Sequence, residues 1–158
     1  MCIRDRSHPD PHGLSVQPPS RYESIMTSFD PVARTRLHLA MAEALNPALK
    51  ALISSNPDAL AQAQAVAERA AHAPLTPLSG LTVSLKDNID TAGWTTTMGS
   101  AFFRDHVPVA DAPVTTRLRA AGAVIIGKAN LHEFAFGGTT QNPHHGLGGN
   151  PWLSLIHI

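Results

Sequence analysis

One cysteine, Cys2, one tyrosine and two tryptophans stand in 158 residues, and the cysteine lies at the extreme N-terminus. The chain therefore has no disulfide framework and no thiol nucleophile in its body. That usage is compatible with a reducing compartment, and a cytoplasmic location is the expectation. Lysine and arginine number 12 against 12 aspartate and glutamate, so no charge excess argues for nucleic acid or a membrane surface. Continuous apolar runs are too short for a transmembrane span or a signal-peptide core. What remains is an α/β pattern between two unusual ends.

The ends read as non-native. Met1-Cys2-Ile3-Arg4-Asp5-Arg6 can be written ATG TGT ATA AGA GAC AG plus one base. The reverse complement of that string, CTG TCT CTT ATA CAC AT, encodes Leu153 to Ile158 in frame. The string resembles the transposon-end adapter used in preparing sequencing libraries, so both ends are set aside from fold reasoning. Residues 7–25 carry Pro9, Pro11, Pro18 and Pro19 without an apolar period, and His8 and His12 lack finger-like partners. The expected division is 1–25 as upstream extension with Met26 as the start, 26–73 as a helical segment, 74–152 as an α/β core, and 153–158 as adapter.

From Asp30-Pro31 the residues turn helical, with Leu37, Met41 and Leu45 four apart, and Asn46-Pro47 is expected to break or kink the run. Asn56-Pro57-Asp58 opens a second helix over 59–71, with Leu60, Ala63 and Ala67 on its apolar stripe. Leu81, Val83 and Leu85 alternate as a strand ending at Lys86, where Asp87-Asn88 turns the chain. Asp111 and Pro113 signal a helix with Val114, Leu118 and Ala121 inward, ended by Gly122. Ala123-Val124-Ile125-Ile126 then reads as a strand buried on both faces. Strand, helix and strand in this order predict a right-handed βαβ unit.

Two motifs are tempting and fail on physical grounds. Gly122 to Ala129 approximates a phosphate loop, but four consecutive apolar residues belong in a strand and Ala129 has no hydroxyl for Mg²⁺. His144 and His145 are adjacent and would point to opposite faces of a strand, and His132-Glu133 lacks the second histidine of a zinc helix. No metal or cofactor is expected. Asn130 is expected to cap a short helix, and the loop from Gly137 to Trp152, rich in Gly, Thr and Asn, suits close approach to a ligand. Thr139, Thr140, Gln141 and Asn142 are the loop candidates for substrate binding. Arg104, Asp105 and His106 read as surface groups, and Ser100 as a turn residue. By spacing alone, Lys86 is more readily a solvated strand end than a catalytic group.

Gly80 to Ser100 around Leu85-Lys86-Asp87, Ala120-Ala121-Gly122-Ala123, Gly127-Lys128-Ala129-Asn130, Glu133-Phe134, Thr140-Gln141-Asn142 and Asn150-Pro151-Trp152 together resemble the N-terminal part of the amidase signature family. The resemblance implies an incomplete mixed α/β fold: N-terminal helices, then βαβ units of a mixed sheet covered by helices. It also implies an amide hydrolase with a Ser-cisSer-Lys triad. Lys86 would be the neutral base, drawing a proton through a bridging serine from a nucleophilic serine, with an acyl-enzyme forming as ammonia or an amine leaves. Bringing a lysine from about 10.4 toward working pH needs roughly 3 pKa units, about 4 kcal/mol, which burial can supply.

In the family, Asn-Pro-Trp is followed by Asp and a Gly-Gly-Ser-Ser-Gly-Gly segment. Here Trp152 meets Leu153, and neither serine is present. Ser79, Ser84 and Ser100 do not match the missing motif, so this chain alone is expected to be inactive. A partial sheet also exposes edges that favour self-association. Alternative readings are the glutaminase (A) subunit of a tRNA-dependent amidotransferase, with partner subunits, and a non-enzymatic α/β binding module. The expected partners are a small-molecule amide substrate and either a homodimer mate or those subunits, with no direct contact to nucleic acid or membrane.

Overall fold

A computed structural model describes residues 28–150. The readings of 1–25, Met26, Pro151, Trp152 and 153–158 lie outside the described residues. Helix α1 (Pro31–Leu49) leads to β1 (Leu52–Ser55), α2 (Ala59–Ala70) and β2 (Thr82–Lys86). A 3₁₀ turn (Ala101–Phe103) and α3 (Pro113–Ala120) precede β3 (Val124–Ala129). A second 3₁₀ turn (Glu133–Ala135) then leads to the short strands β4 (Gln141–Asn142) and β5 (Gly146–Leu147). The main sheet has the order β1-β3-β2, with β3 antiparallel to β1 and parallel to β2. This is a mixed α/β fold, and α3 lies between the two parallel strands as the βαβ reading requires.

The helices begin where the sequence signals them but end and face differently. Asp30 caps α1, its Oδ1 accepting from the Ala33 amide at 2.8 Å. The helix then runs through Pro47 to a left-handed cap at Lys50, which corrects the expected break at Asn46-Pro47. A proline in the last turn forfeits only the bond to the carbonyl of Glu43, an exposed residue. Asn46 meanwhile anchors the next strand, accepting from the Leu52 amide at 2.7 Å and donating to the Leu52 carbonyl at 2.9 Å. On α2 the buried stripe is Ala59, Ala63 and Val66, with Leu60 exposed, one residue out of phase with the expected face.

These three residues meet Val124, with Val32, Leu39 and Ile126 packed around them. Small side chains let α2 approach β3 closely, and the burial is apolar and non-directional. Strand β1, which the sequence reading did not contain, pairs with β3, so the described parts of the two expected segments, 28–73 and 74–150, share one sheet and one core. Strand β3 extends beyond the expected 123–126 to take in Gly127, Lys128 and Ala129, and the phosphate-loop reading has no loop to occupy.

In α3 the cap is Ala112, not Asp111. Asp111 instead accepts from the Ala92 amide and from Arg119, both at 2.8 Å, tying the helix to the loop before it. The buried residue is Thr115, whose hydroxyl donates to the Asp90 carbonyl at 2.8 Å, while Val114 is exposed. Gly122 closes the helix at φ +87°, where a Cβ would lie 2.5 Å from Thr76 Oγ1. Asn130 caps no helix. It is buried, its amide donating to the carbonyls of Lys50 and Gly146 at 2.9 and 3.2 Å. Among the described residues no helix is long and apolar enough to cross a membrane.

Helix α1 is also latched to β2 by a hydrogen bond of 2.6 Å between His38 Nδ1 and Thr82 Oγ1. Burial, and then the Arg34 guanidinium, hold the His38 pKa below its ordinary value. The folded chain thus binds fewer protons at His38 than the unfolded chain does. Its contribution is complete above about pH 6.5 and is lost as pH falls through the lower folded value. Urea denaturation of the monomeric chain should show stability declining below about pH 6.5, with a shallower decline in His38→Gln.

Candidate active site

The parallel register decides which side chains share a face at the end of β2. Leu85 pairs with Lys128 and Lys86 with Ala129. Side chains alternate along a strand, so Leu85 and Asp87 project to one side and Ser84 and Lys86 to the other. Lys86 is exposed together with Ser84, whereas Leu85 and Asp87 are buried. The resemblance calls for a buried lysine base. The fully buried lysine is Lys128, across the sheet, and Lys86 stands at the carboxyl end of its strand with its side chain open.

Lys128 Nζ donates to the Ile89 carbonyl at 2.6 Å and to Thr96 Oγ1 at 2.7 Å, lies 3.8 Å from Asp87 Oδ1, and sits 5.5 Å from the centroid of the Trp94 ring. Burial pushes its pKa down, and the carboxylates of Asp87, Asp90 and Asp111 oppose that shift. The other Asp87 oxygen accepts from the Thr97 amide at 2.9 Å and, in a short bond, from the Thr97 hydroxyl. The Asp87 carbonyl accepts from the Met98 amide at 2.8 Å, and the Lys86 carbonyl closes a tight turn with the Ile89 amide at 2.9 Å. A charged cluster in a dry setting thus fixes both ends of the loop that follows Lys86.

A second network borders the same loop. Ser100, buried, caps the first 3₁₀ turn by accepting from the Phe102 amide at 3.2 Å, and its hydroxyl donates to Glu133 Oε1 at 2.6 Å. His144 Nε2 lies 3.1 Å from the same oxygen. The Ser100 bond first, and the His144 bond next, hold the Glu133 carboxyl below its ordinary value. Burial lowers His145, with Asp87 opposing and His144 reinforcing the shift. His132 lies apart, its Nδ1 3.4 Å from the Glu133 carbonyl. Among the described residues no group of three His, Cys, Asp or Glu is arranged to hold a metal.

The four loop candidates separate. Asn142 is buried, its Nδ2 donating to the carbonyls of Gly99 at 2.7 Å and Leu131 at 2.8 Å, while its Oδ1 accepts from the amides of His144 and His145. Its amide group is fully committed to the backbone and has no hydrogen bond left for a substrate. Gly99, at φ +66°, leaves it room, since a Cβ there would fall 2.5 Å from Asn142 Nδ2. Thr139 and Thr140 are half-buried and Gln141 is exposed. Arg104, Asp105 and His106 are exposed, as expected of surface groups. An open cleft of about 560 Å³, lined by Glu43, Asn46, Lys50 and Asn56 among others, lies between α1 and β1, and none of the candidate residues lines it.

The mixed sheet bears a lysine at the carboxyl end of a parallel strand with a buried ionic cluster behind it, and strand ends of this kind are where α/β folds gather ligands. The chain belongs to the amidase family, which it matches over residues 33–155. It is 42% identical over 125 residues to the A-subunit of glutamyl-tRNA(Gln) amidotransferase from Methylococcus capsulatus, covering 78% of this chain and 26% of that protein. Among solved structures, one described as a vestigial protein complex revealing the origins of an s-triazine catabolic enzyme aligns with a TM-score of 0.76 at 35% identity, over 85% of this chain and 30% of the other. Native peptide amidase from Stenotrophomonas maltophilia aligns with a TM-score of 0.65 at 35% identity, over 80% and 26%. The chain thus spans about a quarter of the length of the curated relative.

Sequence reading did not single out Asp87 and Lys128 as a pair. The signal was present in the alternation that separates Asp87 from Lys86, but their pairing depends on the register between β2 and β3. Asn142→Ala should destabilise the chain by roughly 2–3 kcal/mol in urea denaturation, because two buried carbonyls lose their donor. Gln141→Ala should stay within about 0.5 kcal/mol.

Proposed function

We propose that this chain supplies the lysine of an amide-hydrolysing site, with Lys86 as the base that relays a proton through a bridging serine from a nucleophilic serine. Both serines would belong to sequence that follows Trp152 in the longer protein. The observation that carries the reading is the place of Lys86: the carboxyl end of a parallel strand, on a turn fixed by buried hydrogen bonds. The carboxyl ends of parallel strands are where α/β folds gather ligands. The exposed face shared by Ser84 and Lys86 is where a covering segment would dry the lysine and favour its neutral form. The reaction class is cleavage of a carboxamide C–N bond through an acyl-enzyme, without a cofactor and in the cytoplasm. Thr139, Thr140 and Gln141 remain the proposed substrate-facing residues of the loop.

A second reading is favoured by the 42% identity to an amidotransferase A-subunit. In it the substrate is glutamine, and the ammonia released passes to partner subunits. The same lysine serves both. Ammonia release from glutamine that requires co-purified subunits would select the second reading, and unaided hydrolysis of simple or peptide amides the first. A continuation past Trp152 lacking a Gly-Ser-rich segment would favour a binding module over either.

The purified 158-residue chain should hydrolyse no amide above background. A full-length protein carrying this segment should do so, and Lys86→Ala should lower its kcat by at least about 10²-fold, the scale expected for losing a general base. Hydrolysis by the isolated chain that Lys86→Ala abolishes would contradict the proposal.

A further inference from the structure

We propose that Lys128 is a positioning residue for Lys86, tying the turn that ends β2 to β3; this rests on the reading of Lys86 as the base. Lys128 is 0% exposed. A buried ammonium carries a desolvation cost that an apolar side chain of similar length avoids, so packing alone does not account for it. Its hydrogen bonds are directional. The Ile89 carbonyl it holds at 2.6 Å belongs to the residue whose amide closes the turn on the Lys86 carbonyl at 2.9 Å. Thr96, its other acceptor, lies on the returning limb of the same loop. Asp87, next in chain to Lys86, faces the ammonium at 3.8 Å and grips that limb through Thr97. One side chain of β3 therefore touches the outgoing limb, the returning limb and the neighbour of Lys86.

Such a fixture matters to a base more than to a binding group. Proton transfer depends on heavy-atom distances held to fractions of an ångström, and a misplacement of about 1 Å can cost about 10²-fold. Lys128 lies on the face of the sheet opposite Lys86, so it can act only through the backbone and not on a substrate.

Backbone hydrogen exchange of the chain tests the tie without any need for activity. In Lys128→Met the amides of Ile89, Thr97 and Met98 should exchange at least about tenfold faster. The amides of Asn56 and Asn130, bonded to the carbonyls of Ile126 and Ala51, should be unchanged. Should Lys128→Met fail to fold, Thr96→Val, which removes one acceptor and no charge, should give the same local pattern. Unchanged turn amides, or a uniform rise at all these positions in a folded variant, would overturn the proposal. In a full-length enzyme carrying the segment, Lys128→Met or Thr96→Val should lower kcat per folded molecule roughly 10- to 100-fold with KM nearly unchanged. A rise in KM alone, or a kcat loss that follows the folded fraction, would also overturn it. If instead Lys86→Ala retained hydrolysis, the assignment of the base would fail while the exchange result still decided the tie.

Discussion

Burial of one ion pair, Lys128 with Asp87, organises the end of the sheet on which the candidate site stands. Two charges in a dry interior are tolerated only when their remaining hydrogen-bonding groups are satisfied. Lys128 is met by a carbonyl and a hydroxyl, and one Asp87 oxygen by the amide and hydroxyl of Thr97, while its other oxygen, buried without a hydrogen bond, faces the ammonium at 3.8 Å. Because these partners lie on the loop between β2 and α3, satisfying the charges also folds the loop. Truncating one partner would strand the other, at a cost on the order of 3–5 kcal/mol.

The sheet divides the two lysines by exposure. Alternation along β2 sends Asp87 toward the buried side with Lys128 and Lys86 toward the open side with Ser84. One lysine is enclosed by its own chain, and the other is presented. Across the loop, Asn142 and the Ser100-Glu133-His144 set bind residues 99–100 to residues 131–145, so the glycine-rich loop is moored by buried and half-buried polar groups more than by apolar packing. That kind of mooring sets a loop's position and leaves its outer surface, with Gln141, open.

Much of this was legible in the sequence where a local signal exists. Asp30-Pro31 marked the start of α1, Gly122 the end of α3, and the apolar runs at 81–85 and 123–126 marked two of the three main strands. The errors fall where tertiary contacts decide. Pro47 did not end α1 because it sits in the last turn and the carbonyl it deprives belongs to the exposed Glu43, and Asn46 uses its side chain to hold β1. Strand β1 escaped because four residues with only two apolar members carry no period of their own; β3 creates it by pairing. Asp111 looked like a cap but serves Ala92 and Arg119, Asn130 looked like a cap but is spent on the carbonyls of Lys50 and Gly146, and Asn142, one of the loop candidates, has its amide bonded to two buried carbonyls. Short polar side chains read alike in sequence whether they face a ligand or the backbone.

Membership of the amidase family and the fold shared with peptide amidase are the ground for the proposed assignment, that the presented lysine and not the buried one is the base. The most direct test is the position of Lys86 Nζ in a crystal structure of a full-length enzyme carrying this segment, with an amide analogue bound. The predicted result is Lys86 covered from solvent with Nζ about 2.6–3.2 Å from a serine hydroxyl, and Lys128 still on Ile89 and Thr96. Lys86 left in solvent with no serine in reach would contradict it.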